Sequence, residues 1–168
     1  MFKLISKTLA AVAMVSVALF GSANAKTLKI ETHFTASSPN GEVAAQFAKN
    51  VEKFSGGSLK IEMFYSSSVT GKSAEVFNSA QTGIIDCDMT GAGYQTGKNA
   101  AFQFAGDVMG GYDNPYQQYE FLNYPGAQDA VDALYNKYGM TLIGWWIPGH
   151  ESLISSRPIP DVASLKDF

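Results

Sequence analysis

Residues 27–34 (TLKIETHF) and 58–65 (SLKIEMFY) decide the fold of this chain. In the first, Leu28, Ile30 and Thr32 alternate with Lys29 and Glu31, the two-residue period of a strand. The second alternates in the same way. Between them, Ser38-Pro39-Asn40-Gly41 reads as a turn from which Pro39 or Asn40 opens a helix. Val43, Phe47, Val51 and Phe54 then recur at three-to-four spacing, the apolar stripe of an amphipathic helix that stops at Ser55-Gly56-Gly57. Strand, helix and strand in this order make a βαβ unit. Its strands are expected to be parallel and its crossover right-handed.

Further along, residues 66–72 form a polar loop, and 73–81 a short helix closed by Thr82-Gly83. Residues 84–90 (IIDCDMT) predict a third strand, whose nearly continuous apolar character suggests burial. The hydrophobic piece at 100–104 carries no clear periodicity. Residues 115–122 and 127–138 predict two helices broken at Tyr124-Pro125-Gly126, with Gly139 ending the second. Residues 140–147 (MTLIGWWI) predict a fourth strand, with Trp145 or Trp146 turned into the core. After Pro148-Gly149 the chain is extended again at 153–156, and 156–165 is a polar connection containing Pro158 and Pro160. There is no internal repeat and no low-complexity run.

Residues 1–25 read as an address. Lys3 and Lys7 are a positive start, 9–20 an uncharged and largely apolar core, and Ala23-Asn24-Ala25 a small-x-small cleavage site. The core is too short to span a bilayer, which takes about 20 apolar residues. The absence of a cysteine after it argues against a lipid anchor. The mature chain is expected to begin at Lys26. Loss of Lys3 and Lys7 takes the formal charge from −3 to −5. With 12 basic against 15 acidic residues, the chain offers no basic patch for nucleic acid. A hydrophobic share of 46% with 16% charged residues excludes disorder. The single Cys87 excludes a disulfide framework and a cysteine-based zinc site, and is expected to be a buried small hydrophobe.

Chemistry-bearing motifs are few. Gly91-Ala92-Gly93-Tyr94-Gln95-Thr96-Gly97 follows a strand, but its third glycine falls one position late for a dinucleotide fingerprint. It reads instead as a flexible loop at a strand's carboxyl end, where open α/β sheets hold ligands. His33 and His150 lack metal-ligand spacing, even with Glu151 nearby. Asp86 and Asp88 share a face in an alternating strand. An acid–base role for that pair competes with plain loop hydrogen bonding, and the second is the simpler reading. No nucleophile elbow occurs, and Gly149-His150-Glu151-Ser152-Leu153 does not imitate one. Aromatic residues fall at strand ends, where a tyrosine's polar tip suits a partly wet cleft. A small-molecule pocket is therefore expected from His33, Phe34, Tyr65, Ser66, Gly91, Tyr94, His150 and Glu151. No cofactor is expected, and nothing in the spacing supports a metal ion bridging the ligand.

The run from Phe47 (FAKNVEKFSGGSLKI) resembles the "FA-x-x-V-E-x-x-S-G-G-x-L-K-I" region of TRAP transporter solute-binding proteins, the DctP family. Ser73-Ala74-Glu75-Val76-Phe77 and Gln81-Thr82-Gly83-Ile84-Ile85-Asp86-Cys87-Asp88-Met89 resemble that family's helix, turn and third strand. Ser156-Arg157-Pro158-Ile159 and 161–167 resemble the stretch leading into its second domain. The resemblance implies a two-lobe periplasmic-binding-protein fold of type II kind, with a mostly parallel sheet flanked by helices. Residues 26–148 would be the first lobe, and 149–168 the hinge strand and the start of the second, so the chain reads as the N-terminal part of a longer protein. It further implies a periplasmic receptor that captures a small organic acid and passes it to the membrane permease subunits of an ion-driven TRAP transporter, without inserting in the membrane after signal cleavage. In that family an arginine on the second lobe, after a "D-L-K-G" segment, holds the ligand carboxylate. Leu165-Lys166-Asp167-Phe168 stands at that segment, with Asp167 where Gly is common, and Arg157 comes too early to be that arginine. Two other readings compete: a lobe of a secreted hydrolase or lyase using His33, His150 or the Asp86/Asp88 pair, and an exported interaction module.

Overall fold

The computed structural model describes residues 25–106, 108, 110–147 and 154–167. They form two compact units that divide between Thr90 and Gly91. The first unit is built on β1 (Lys26–Thr32), α1 (Pro39–Phe54), β2 (Leu59–Phe64), a 3-10 turn at Ser73–Glu75, α2 (Val76–Gln81) and β3 (Cys87–Met89). Its sheet has the order β2-β1-β3, and both pairings are parallel. Register runs from Lys26 opposite Leu59 to Glu31 opposite Phe64, and on the other side from Ile30 opposite Cys87 to Thr32 opposite Met89. The βαβ expectation holds.

α1 starts where the turn residues place it. The Ser38 hydroxyl oxygen accepts from the Gly41 amide at 3.0 Å, Pro39 occupies the first turn, and Glu42 complements the helix N-terminus. At the other end Gly56 and Gly57 adopt φ of +60° and +79°, and the Gly57 amide donates to the Glu52 carbonyl at 2.9 Å. Glycine takes that left-handed turn without the Cβ penalty. α1 packs on β2 and α2 on β3. Ile30, Ala44, Val76, Phe77 and Ile85 are the buried hydrophobic residues of this unit.

The third strand is shorter than the sequence predicts. Only Cys87–Met89 pairs with β1, and Ile84 is 58% exposed. The reason lies at the exit of α2, where the amides of Ile84 and Ile85 both donate to the Ser79 carbonyl. They complete the helix exit before the chain can align with β1. Cys87 is half-buried rather than buried.

The second unit contains 3-10 turns at Ala92–Gln95, Ala100–Phe104 and Val162–Asp167, with α3 (Pro115–Asn123) and α4 (Pro125–Asn136). The piece at 100–104 is the first of its core contributors: Phe102 is fully buried, its ring edge-on to Tyr135 at 5.2 Å and tilted against Tyr138 at 5.5 Å. Leu122, Val131 and Leu134 join it in the buried set. Asn114 caps α3 through the Gln117 amide at 3.1 Å. Tyr124, extended at φ −66° and ψ 131° ahead of Pro125, separates the two helices as the sequence predicts. Residues 140–147 correct the expectation of a fourth strand. They have no regular secondary structure, Ile143 is 74% exposed, and Trp145 and Trp146 are both half-buried. An apolar run becomes a strand only on a partner's ladder, and the second unit has no strand among the described residues.

Gly41 gives the fold a direct test. A Cβ there would run into the Thr35 carbonyl oxygen, which is backbone and cannot swing away. Gly41→Ala is expected to cost about 1–3 kcal/mol in urea denaturation. Gly93→Ala, with open space around it, should stay within about 0.5 kcal/mol.

Candidate functional site

The carboxyl ends of β1 and β2 are tied together beyond the strands themselves. The Ser66 amide donates to the Phe34 carbonyl at 2.9 Å and the Ser67 amide to the Thr32 carbonyl at 3.1 Å. Ser66 and Ser67 sit at φ +57° and +52°, a region that costs an L-residue roughly 1–2 kcal/mol. Several bonds hold the loop in that shape. The Gly71 amide donates to the Ser67 carbonyl at 2.7 Å, and the hydroxyls of Ser67 and Ser73 lie 3.2 Å apart. The Val69 amide donates to Glu31 Oε1 at 2.6 Å, and the Thr70 amide to the same oxygen at 3.4 Å.

Four of the expected site residues therefore meet in the first unit: His33 and Phe34 after β1, Tyr65 and Ser66 after β2. All but the exposed Ser66 are half-buried. The His33 and Phe34 rings lie 3.9 Å apart, and burial holds the His33 imidazole below its ordinary pKa, which favours its neutral form. Gly91 and Tyr94 lie in the second unit, where the Tyr94 amide donates to the Gly91 carbonyl at 3.2 Å. Their glycine loop is a 3-10 turn with Gln95 buried, rather than a loose segment. His150 and Glu151 lie outside the described residues.

The Asp86/Asp88 pairing needs correction. Asp86 precedes the strand, is exposed, and its Oδ2 accepts the Lys29 amide at 2.8 Å while its own amide donates to the Lys29 carbonyl at 2.9 Å. Asp88 instead stands beside Glu31, its register partner on β1. Burial pushes the Asp88 carboxyl up to about 6; Thr90 beside it partly offsets the rise, and the Glu31 charge adds to it. Glu31 was not a candidate from the sequence. Its place in the polar phase of β1, with Lys29, signals solvent, yet its side chain is completely buried. Among the described residues no three His, Cys, Asp or Glu side chains gather as a metal site. Nor is any described helix long and apolar enough to cross a membrane.

The sequence matches the family of bacterial extracellular solute-binding proteins, family 7, over residues 30–168. The chain belongs to this family, DctP. Solved structures agree on the fold. A TRAP periplasmic solute-binding protein from Rhodobacter sphaeroides, in an apo open structure, is 26% identical with a TM-score of 0.66; the match covers 71% of the DctP chain and 38% of that protein. One from Pseudoalteromonas atlantica, with bound sodium and pyruvate, is 20% identical with a TM-score of 0.63, over 69% and 35%. An extracytoplasmic solute receptor of Bordetella pertussis that binds pyroglutamic acid is 22% identical with a TM-score of 0.59, over 70% and 38%. The DctP chain thus spans little more than a third of the length of these proteins. No curated protein matches it.

The strained serines make the loop testable. Ser66→Val, β-branched at φ +57°, should lower stability by about 1–2 kcal/mol in chemical denaturation. Ser66→Gly should leave stability unchanged or raise it.

Proposed function

We propose that this chain is part of a periplasmic receptor that captures a small organic acid and hands it to the permease subunits of an ion-driven TRAP transporter, with no catalysis of its own. The observation that carries the reading is the family match over residues 30–168. The export signal supports it independently, with residues 1–25 removed in the mature protein. Residues 26–148 are assigned to the first lobe, and 149–168 to the hinge strand and the start of the second.

Ligand contacts are assigned to His33, Phe34, Tyr65 and Ser66, to Gly91 and Tyr94, and to His150 and Glu151. A neutral imidazole and tyrosine hydroxyls offer hydrogen bonds, and the aromatic rings offer apolar surface. The ligand carboxylate requires a stronger partner, a bidentate arginine. On this reading it stands on the second lobe, and Arg157, the only arginine in the sequence, is not that residue. Solved structures of similar fold that hold pyruvate, pyroglutamic acid or succinate support a small carboxylate as ligand. The reading as a hydrolase or lyase lobe loses its carboxylate pair, because Asp86 is committed to the Lys29 amide.

A thermal-shift screen of the two-lobed protein against small carboxylates tests the reading. Selective binding raises the midpoint through RT ln(1 + [L]/Kd). A screen in which no carboxylate does so would overturn it. Alanine at Tyr65, Tyr94 or His150 should weaken binding by about 10- to 100-fold, the loss of one hydrogen bond to a charged group. Unchanged affinity in all three would displace the assigned contacts.

The 168 residues alone present one face of the cleft on this reading. Isothermal titration with micromolar carboxylate should then show no heat, because losing a buried charged contact costs roughly 30- to several-thousand-fold in affinity. Tight stoichiometric binding would make Arg157 the anchor.

A further inference from the structure

Two buried carboxyl oxygens on neighbouring strands have no hydrogen-bond partner: Glu31 Oε2 and Asp88 Oδ1. Glu31 and Asp88 are register partners on parallel strands, so their side chains leave the same face of the sheet. Glu31 is fully buried, and its bonds from the Val69 and Thr70 amides both end on Oε1. Two ionised carboxylates side by side, each with an unsatisfied buried oxygen, would repel each other and forfeit hydration.

Among the described residues of the first unit, the elements around the pair bring no buried compensating charge. On the same face β1 carries Lys29, which is exposed, and His33, whose imidazole burial holds below its ordinary pKa. β2 places the uncharged Phe64 opposite Glu31 and the acidic Glu62 opposite Lys29. Asp86 ahead of β3 adds another acid. α2 (VFNSAQ) has no charged residue; Glu75 before it and Lys72 in the loop are exposed, as are Glu42, Lys49, Glu52 and Lys53 of α1.

We propose that Asp88 keeps its proton and donates it to Glu31 Oε2, so that one proton satisfies both orphan oxygens and leaves Glu31 Oε1 to hold the loop after β2. The donor is the Asp88 O–H, the acceptor the Glu31 carboxylate, and at higher pH the proton leaves to water. Glu31 is thus a positioning residue for the loop that carries Tyr65 and Ser66. The inference is independent of any ligand and is measured without one.

The direction with pH follows from linkage. The Asp88 carboxyl is raised from 3.8 to about 6 in the fold, so between these values the folded chain binds a proton that the unfolded chain has lost. This contribution is fully present below the lower value and is lost as pH rises through the upper one. In the full chain, amide hydrogen exchange at Val69 and Thr70, corrected for the intrinsic rate, should lose protection between pH 5 and 8. With the folded value near 6, the loss over this range is about 10-fold, one pKa unit. The thermal midpoint should fall over the same range. Asp88→Asn, which mimics the protonated acid, should remove this pH dependence of both readouts. Should that variant fail to fold, Glu31→Gln serves: its amide donates to Asp88, favours the carboxylate, and moves the step below pH 5. The infrared carbonyl band of a protonated acid, present in the parent at pH 5, should be missing in Asp88→Asn. A step that stays between pH 5 and 8 in either folded variant would overturn the proposal. So would protection at pH 8 that sodium or calcium chloride restores in the parent alone, since a cation would then bridge the two oxygens.

Discussion

The burial of one carboxylate organises the first unit. Glu31 sits on the strand that pairs on both sides, at the end where β1 gives way to loop, and none of its side chain reaches solvent. A charge taken out of water is costly unless it gains hydrogen bonds. The chain after β2 supplies them from its backbone, with the Val69 and Thr70 amides on one oxygen. Turning those amides inward requires a tight reversal immediately after Tyr65, and Ser66 and Ser67 accept left-handed conformations to make it. The strain of two serines is the local cost of satisfying the glutamate. The position of the candidate site follows from that exchange.

The βαβ core was legible because three independent signals agreed on it. The alternation of 27–34 and 58–65, the stripe from Val43 to Phe54, and the Ser38 and Gly56-Gly57 caps all describe one arrangement, and local consistency of this kind marks a segment that folds as it reads. Where one signal stood alone it misled. Residues 140–147 had a strand-like apolar run but no partner strand among the described residues of the second unit, and no property of the segment itself encodes a partner. In 84–90 the apolar run could not disclose that Ser79 captures the amides of Ile84 and Ile85.

The candidate site divides along the same line. Strand ends can be read from a sequence, so the position of His33 and Phe34 after β1 and of Tyr65 and Ser66 after β2 was legible. The pairing of carboxylates could not be, because it depends on register across strands distant in sequence. Spacing alone joined Asp86 to Asp88, two residues apart. Parallel pairing joins Asp88 to Glu31, fifty-seven positions away, as far as Asp86 lies from Lys29. A glutamate in the polar phase of an amphipathic strand looks solvent-exposed until the loop above it is placed.

The chemistry left at these strand ends suits binding better than bond breaking. A general acid or base must present a titrating group to the substrate. Asp86 is occupied by a backbone amide, Glu31 is closed over by its own loop, and Asp88 lies beside Glu31 in the sheet. Burial holds the His33 imidazole below its ordinary pKa, and its ring lies against that of Phe34. What remains is a neutral imidazole, serine and tyrosine hydroxyls, and aromatic surface on a rigid sheet edge. Such groups recognise shape and hydrogen-bonding pattern without committing a net charge, so a charged end of any ligand must be matched from elsewhere. Hydrogen bonds from neutral donors are weaker than charge-assisted ones, so these strand ends alone favour selectivity over tight capture of an anion.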